Sequence, residues 1–92
     1  MVQSMFTLAY REVIEAVVAL RKAAGLTQRE LALRLGREQS YVGRIETGQR
    51  RIDLVELVWV CKVCGADPAA AIPRLVKTIA GSVPGRRRRR QR

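Results

Sequence analysis

The sequence predicts an all-α fold, a compact bundle of about five helices, and three observations support this prediction. Apolar residues recur at helical spacing along nearly the whole chain, and no segment has the alternating pattern of a strand. Residues suited to capping helix N-termini precede the apolar segments, and glycines follow them. The length of 92 residues allows one compact domain.

The first predicted helix extends from about Leu8 to Ala24. Thr7 is a suitable N-cap, and Gly25 supplies a left-handed residue at the C-terminal end. Apolar residues three or four positions apart predict one inward-facing stripe. That stripe consists of Val13, Ile14, Val17, Leu20 and Ala24.

Two short helices follow. Thr27 and Glu30 form a capping box at the start of the second helix, which ends at Gly36. The third helix covers about Glu38 to Glu46. The inward-facing residues of this pair are predicted to be Leu31, Ala32, Leu35, Val42 and Ile45.

The last two helices are bounded by acidic caps. Asp53 and Glu56 form a second capping box, and this fourth helix extends to Cys64. Asp67-Pro68 begins the fifth helix, and Pro73 is expected to kink or split residues 69–80. We therefore expect a folded domain over residues 1–80 and a flexible basic tail over residues 81–92.

The charge of the chain is strongly positive and concentrated at its end. The net charge is +10, and without the six arginines of residues 86–92 it is +4, from 12 basic and 8 acidic residues. This balance favours polyanions such as nucleic acid, although an arginine run alone also suits RNA, acidic proteins or anionic membranes. No apolar run approaches the roughly 18 residues of a membrane span, and no secretory signal is evident, so we expect a cytoplasmic protein.

The two cysteines and the missing histidines argue against catalysis and metal binding. Cys61 and Cys64 supply only two of the four ligands that a structural zinc site needs. A redox CxxC normally follows a strand and begins a helix, whereas this pair is late in a helical pattern. The favoured interpretation is two core residues, and we expect no metal, no cofactor, no small-molecule substrate and no enzymatic activity.

The segment around residues 28–46 has the features of a helix-turn-helix motif. Ala32 is small enough for two helices to cross closely, and Gly36 suits the short turn between them. Val42 and Ile45 are expected to hold the third helix against the core. The outward residues are then Glu38, Gln39, Ser40, Tyr41, Gly43 and Arg44, a mostly hydrogen-bonding surface of the kind that reads base edges in the major groove.

Residues 17–72 resemble the lambda-repressor-like, or XRE-type, helix-turn-helix family. The pattern is specific because caps, glycines and apolar positions all match at the family's spacing. Besides Leu20-Arg21, the matching segments are 25–32, Leu35-Gly36, 40–48, Asp53-Leu54 and 64–68. The resemblance implies that the third helix is the recognition helix and that double-stranded DNA is the partner.

The resemblance also implies roles for individual residues. Base contacts are expected from Gln39, Ser40 and Arg44. Phosphate contacts are expected from Gln28, Tyr41, Arg50 and Arg51. Arg21 and Glu46 match positions that form a structural salt bridge in relatives, and Gly43 takes the place of a longer side chain on the outward face.

The fourth helix has an unusual apolar stripe at Val55, Trp59 and Val63. An exposed apolar patch on a small protein suggests a partner, so we expect a homodimer contact there. Residues 72, 75, 76 and 79 of the fifth helix are expected to share that contact. The alternative is that the N-terminal residues Met1, Met5, Phe6 and Tyr10 fold back over the stripe.

Two functions follow from this interpretation. The first is a sequence-specific transcriptional regulator, a repressor that binds a palindromic operator as a homodimer with half-sites about 34 Å apart. The second is an antitoxin-like or adaptor protein whose main role is to bind a protein partner through the fourth helix.

Overall fold

Five α-helices form the part of the chain that the computed structural model describes, residues 7–83, and no strand occurs in that range. In chain order they are α1 (Leu8–Ala23), α2 (Gln28–Arg34), α3 (Gln39–Glu46), α4 (Leu54–Val63) and α5 (Pro68–Ala80). The predicted all-α fold is confirmed. Across residues 7–83, every helix is too short or too polar to cross a bilayer.

The helices begin where the capping residues predict. At α2, the Glu30 N–H donates to Thr27 Oγ1 (3.0 Å), and the Thr27 N–H donates to Glu30 Oε1 (2.9 Å). The same reciprocal pair joins Asp53 and Glu56 at α4, with distances of 2.7 and 3.0 Å. Each box satisfies two backbone donors that a helix start leaves without partners, which explains why local sequence fixes these ends.

The turn between α2 and α3 is a Schellman motif. The Arg37 N–H donates to the Ala32 carbonyl (2.9 Å), and the Gly36 N–H donates to the Leu33 carbonyl (3.1 Å). Gly36 has φ of 70°, a left-handed conformation that a residue with a Cβ adopts at a cost. Ala32 is fully buried where α2 packs against α3, as its small size predicts.

The hydrophobic core lies where α1 to α4 meet. Its largest fully buried side chains come from all four helices: Val17, Leu31, Val42, Ile45, Val60 and Cys61. α5 contributes no fully buried residue, but Ile72 and Leu75 pack against this core. Within this core, α3 packs mainly against α2 and also against α1.

α5 departs from the sequence prediction. The expected division of residues 69–80 is wrong, because Pro68–Ala80 form one helix with Pro73 inside it. Proline at that position removes the N–H that would bond the Ala69 carbonyl. Ala69 is exposed, so water can satisfy that carbonyl and the helix continues.

Candidate nucleic-acid interface

α3 has one face in the core and one face in solvent. Val42 and Ile45 are each 1% exposed, whereas Gln39, Ser40 and Arg44 are exposed. The structure therefore places the three candidate base-contact residues on the solvent side of a helix whose other side is fixed by packing. We call the outward side, formed by Gln39, Ser40, Gly43 and Arg44, the recognition face.

Gly43 makes a recess in the recognition face. Successive residues are about 100° apart around a helix, so Gly43 lies between Gln39 and Ser40, one turn further along. These residues, with Gln28 and Glu38, line an open recess of about 370 Å³. A Cβ at residue 43 would lie 3.6 Å from Gln28 Oε1, an ordinary van der Waals distance.

A chain of hydrogen bonds joins α1, α3 and α2 behind this face. Arg21 Nε donates to Glu46 Oε2 (2.7 Å), and Arg21 Nη2 donates to Glu46 Oε1 (3.1 Å). Gln28 Nε2 also donates to Glu46 Oε1, at 2.8 Å. The salt bridge implied by the resemblance is thus present, and it is almost fully buried.

This pair is electrostatically strong and also shapes the start of α2. The hydrogen bonds that Arg21 donates to Glu46 raise the pKa of Arg21 despite the opposing effect of burial. Arg21 Nη1 donates in addition to the Leu26 carbonyl (2.9 Å), just before the α2 cap. Glu46 therefore forms a structural salt bridge and also holds the side-chain NH₂ group of Gln28.

Tyr41 is not on the outward face, and the prediction that placed it there is wrong. Its side chain belongs to the core cluster and is only 8% exposed. The guanidinium groups of Arg37 and Arg50 lie 4.7 and 4.8 Å from the ring centroid. Burial raises the pKa of Tyr41, and its hydroxyl interacts with Glu56.

Arg50 is engaged by a buried carboxylate that the sequence did not indicate as part of the site. Arg50 Nη1 and Nη2 donate to Glu56 Oε1 and Oε2 at 3.1 and 2.8 Å. These bonds, together with the backbone N–H of Asp53 and the hydroxyl of Tyr41, lower the pKa of Glu56 to about 2 against the effect of burial. Because the charge of Arg50 is paired, it is a weaker phosphate ligand than its exposure alone suggests.

Arg37 is a residue that the sequence analysis missed. It follows the turn glycine directly, and that position next to the start of the recognition helix was the available signal. Its guanidinium lies 3.9 Å from Glu56, a weak contact. Arg37, Ser40, Arg44 and Arg50 border one open concavity of about 270 Å³, which Glu38 and Tyr41 also line. Three guanidinium groups around one concavity suit an anion such as a phosphate.

Tyr10 fixes the loop after α3. Its hydroxyl accepts a hydrogen bond from the Ile52 N–H (3.0 Å) and donates to the Arg50 carbonyl (3.5 Å). The guanidinium of Arg51 lies over the Tyr10 ring, 4.3 Å from its centroid, and Arg51 is exposed beside the recognition helix. Tyr10 therefore supports this loop, where the phosphate contact of Arg51 is expected. Met1, Met5 and Phe6, the other residues expected over α4, lie outside the described range.

The apolar stripe of α4 is only partly exposed. Val55 and Trp59 are 54% and 49% exposed, as expected. Val63 is partly buried against the core, so its predicted outward position is wrong. Arg34 Nη1 donates to the Val63 carbonyl (3.1 Å), and Arg34, Trp59 and Val63 line one small open recess.

The cysteines lie in the interior rather than in a site. Cys61 is buried, Cys64 is partly buried and packed against the core, and both are free thiols. Burial raises the pKa of each thiol, which lowers its reactivity. Within residues 7–83, the structure contains no cluster of three or more candidate metal ligands.

Known proteins resemble this chain in fold and in sequence. A family model described as a helix-turn-helix domain matches residues 17–73. An XRE-family like protein from Pseudomonas syringae is 40% identical, with a TM-score of 0.71 over 76% of this chain and 85% of that chain. No relative was found among curated proteins.

Two further solved structures have the same fold. The clp gene regulator ClgR from Corynebacterium glutamicum is 26% identical, with a TM-score of 0.65 over 80% of this chain and 79% of that one. A point mutant of a restriction-modification controller protein has a TM-score of 0.69 over 84% of this chain and its own full length. At 19% identity, this last likeness shows the fold alone.

The five-helix fold and its exposed recognition helix define a helix-turn-helix DNA-binding protein. More specifically, the chain belongs to the XRE-type helix-turn-helix family, a family of DNA-binding transcriptional regulators.

Proposed function

We propose that this protein is a sequence-specific transcriptional repressor that binds a palindromic operator as a homodimer. In this proposal α3 enters the major groove, and Gln39, Ser40 and Arg44 contact base edges. An amide side chain suits adenine and a guanidinium suits guanine, so Gln39 and Arg44 are assigned to these bases.

The observation that carries the proposal is the division of α3 into a buried and a polar face. Val42 and Ile45 are almost completely buried, so the helix cannot turn without breaking the core. The exposed residues on the other side are short or flexible hydrogen-bonding groups. A rigid helix with such a surface suits direct base contact in the major groove.

Phosphate contacts would fix the position of α3 in the groove. We assign them to the second amide hydrogen of Gln28, to Arg51, and to Arg37 and Arg50, which line one concavity. Gln28 lines the recess at Gly43, and Arg37 and Arg50 line the concavity that Ser40 and Arg44 also border. Such contacts set register and orientation without reading sequence.

Selection of duplexes from a random pool, followed by binding at two salt concentrations, tests the proposal. The chain should prefer the selected duplex to a scrambled one at both concentrations, and its affinity for both should fall as salt rises. Equal affinity for the two duplexes would contradict sequence specificity.

A matched pair of arginine variants separates base contact from net charge. Arg44→Ala and Arg74→Ala each remove one positive charge, and both residues are exposed. Arg44→Ala should lose most of the preference for the selected duplex, since one bidentate contact discriminates by about 1–3 kcal/mol. Arg74, on α5, is not on the recognition face, so Arg74→Ala should keep the preference.

The exposed apolar residues Val55 and Trp59 support the homodimer, and they equally favour a second function. In that alternative, the chain is an antitoxin-like or adaptor protein whose partner covers α4. Trp59→Glu separates the two functions when its mass in solution and its operator binding are measured. Loss of both the dimer and tight operator binding supports the repressor dimer, whereas a folded, unchanged dimer that loses a copurifying protein partner supports the second function.

A further inference from the structure

The orientation of the Gln28 side-chain amide is fixed by its partner. Glu46 is ion-paired with Arg21, and an ionised carboxylate only accepts hydrogen bonds. The group of Gln28 that lies 2.8 Å from Glu46 Oε1 must therefore be the NH₂ group. The amide oxygen, Oε1, is consequently the atom that points away from Glu46.

That oxygen lies beside the recognition face. Gln28 Oε1 is 3.6 Å from the position that a Cβ of residue 43 would occupy. Because residue 43 is glycine, no side chain stands between this oxygen and the recess that Gln39 and Ser40 also line. The recess is open to solvent and belongs to the surface that the proposed function places in the major groove.

We propose that Gln28 Oε1 and the recess at Gly43 form a base-reading subsite that accepts a hydrogen bond from an exocyclic amino group. This inference rests on the proposed function. The donor is adenine N6 or cytosine N4, the two amino groups that bases present in the major groove. Gln28 thus reads sequence through its oxygen, while its NH₂ group is held by Glu46.

The subsite discriminates amino bases from keto bases. Guanine O6 and thymine O4 are acceptors, so either would place an oxygen against Gln28 Oε1 without a proton between them. Each base pair carries one amino and one keto group in the major groove. The information read is therefore which strand carries the amino base, and one operator position in each half-site should accept adenine and cytosine but reject guanine and thymine.

Base analogues test this subsite in the selected duplex. Each adenine or cytosine is replaced in turn by deoxynebularine or by the deoxynucleoside of 2-pyrimidinone, which keep the ring and lack the exocyclic amine. For the wild-type chain, the analogue should lower the affinity by about 5- to 100-fold at one position in each half-site, the position that Gln28 reads. Comparison of duplexes that carry adenine or cytosine at that position then shows whether the donor is adenine N6 or cytosine N4.

Three variants identify the group responsible. Gln28→Met removes the oxygen at similar length and should abolish the analogue effect at that position alone. Gly43→Ala places a methyl group beside the oxygen in the recess and should weaken the same effect. The variant should still fold, because the new Cβ makes only an ordinary van der Waals contact. Gln49→Met makes the same chemical change at an exposed glutamine after α3 and should keep the wild-type response.

The outcomes separate this inference from the proposed function. A wild-type chain that prefers the selected duplex, with analogue responses unchanged in Gln28→Met and Gly43→Ala, would overturn the subsite and leave the regulator intact. A wild-type chain without preference for the selected duplex would overturn both. Loss of one analogue response in both variants, with Gln49→Met unchanged, supports the subsite.

Discussion

Arg50 and Glu56 form a two-bond ion pair that connects the loop after α3 to the first turn of α4, with distances of 3.1 and 2.8 Å. The same carboxylate accepts the Asp53 N–H in the α4 capping box. Glu56 therefore fixes a helix start and an interface arginine at once. Its burial makes this arrangement sensitive to protonation, because a neutral acid loses the charge that holds Arg50.

The stability of the fold should depend on Glu56 in acid. Its pKa is about 2 in the folded chain against an ordinary value of 4.5, so its contribution is complete above pH 4.5 and disappears as the pH falls towards 2. By linkage, this amounts to about 3 kcal/mol. In urea unfolding between pH 6 and 2, the free energy of unfolding should fall steeply with pH for the wild type and less steeply for Glu56→Gln. Glu15→Gln, a change at an exposed residue, should keep the steep loss; identical slopes for all three proteins would contradict the account.

The buried Arg21–Glu46 pair should be costly to break from one side. Arg21→Met leaves Glu46 buried without its charge partner, which should lower the free energy of unfolding by about 3–5 kcal/mol. The double variant Arg21→Met/Glu46→Met removes both charges and should be more stable than the single one. Denaturant unfolding measures these differences, with Arg74→Met as the exposed control. An exposed ion pair contributes at most about 1 kcal/mol to stability. If Arg21→Met lowers the free energy of unfolding by less than that, Glu46 is not held as the structure indicates.

Two glycine substitutions should have opposite effects on stability. Gly43 has helical geometry and room for a methyl group, so Gly43→Ala should stabilise the chain by about 1 kcal/mol. Gly36 has φ of 70°, so Gly36→Ala should destabilise it by about 1–2 kcal/mol. Thermal unfolding of both variants measures the contrast. A destabilised Gly43→Ala would mean that the recess at α3 is more crowded than the structure shows.

The parts of the fold that the sequence predicted correctly are those fixed by neighbouring residues. The capping boxes at Thr27 and Asp53 and the turn at Gly36 depend on contacts within six positions. The recognition helix is similar, because Val42 and Ile45 define its buried side through their spacing alone. These local patterns were sufficient to predict the fold class and the orientation of α3.

The parts that were missed depend on residues distant in sequence. Tyr41 looked like an outward residue, but the arginines at 37 and 50 and the carboxylate of Glu56 complete a polar environment around a buried ring. Helical periodicity does not show that the guanidinium of Arg50, nine residues later in the chain, lies over the Tyr41 ring. Val63 was misplaced for a similar reason, since the core residues against which it packs come from several helices.

A nuclear magnetic resonance titration with the selected duplex tests the central claim most directly. The backbone amide shifts should move most for Gln39, Ser40, Gly43 and Arg44, and little for the exposed residues of α5. Such a footprint would place the polar side of α3 against DNA. Shifts concentrated on α4 or α5, with the amides of α3 unchanged under saturating duplex, would contradict the account.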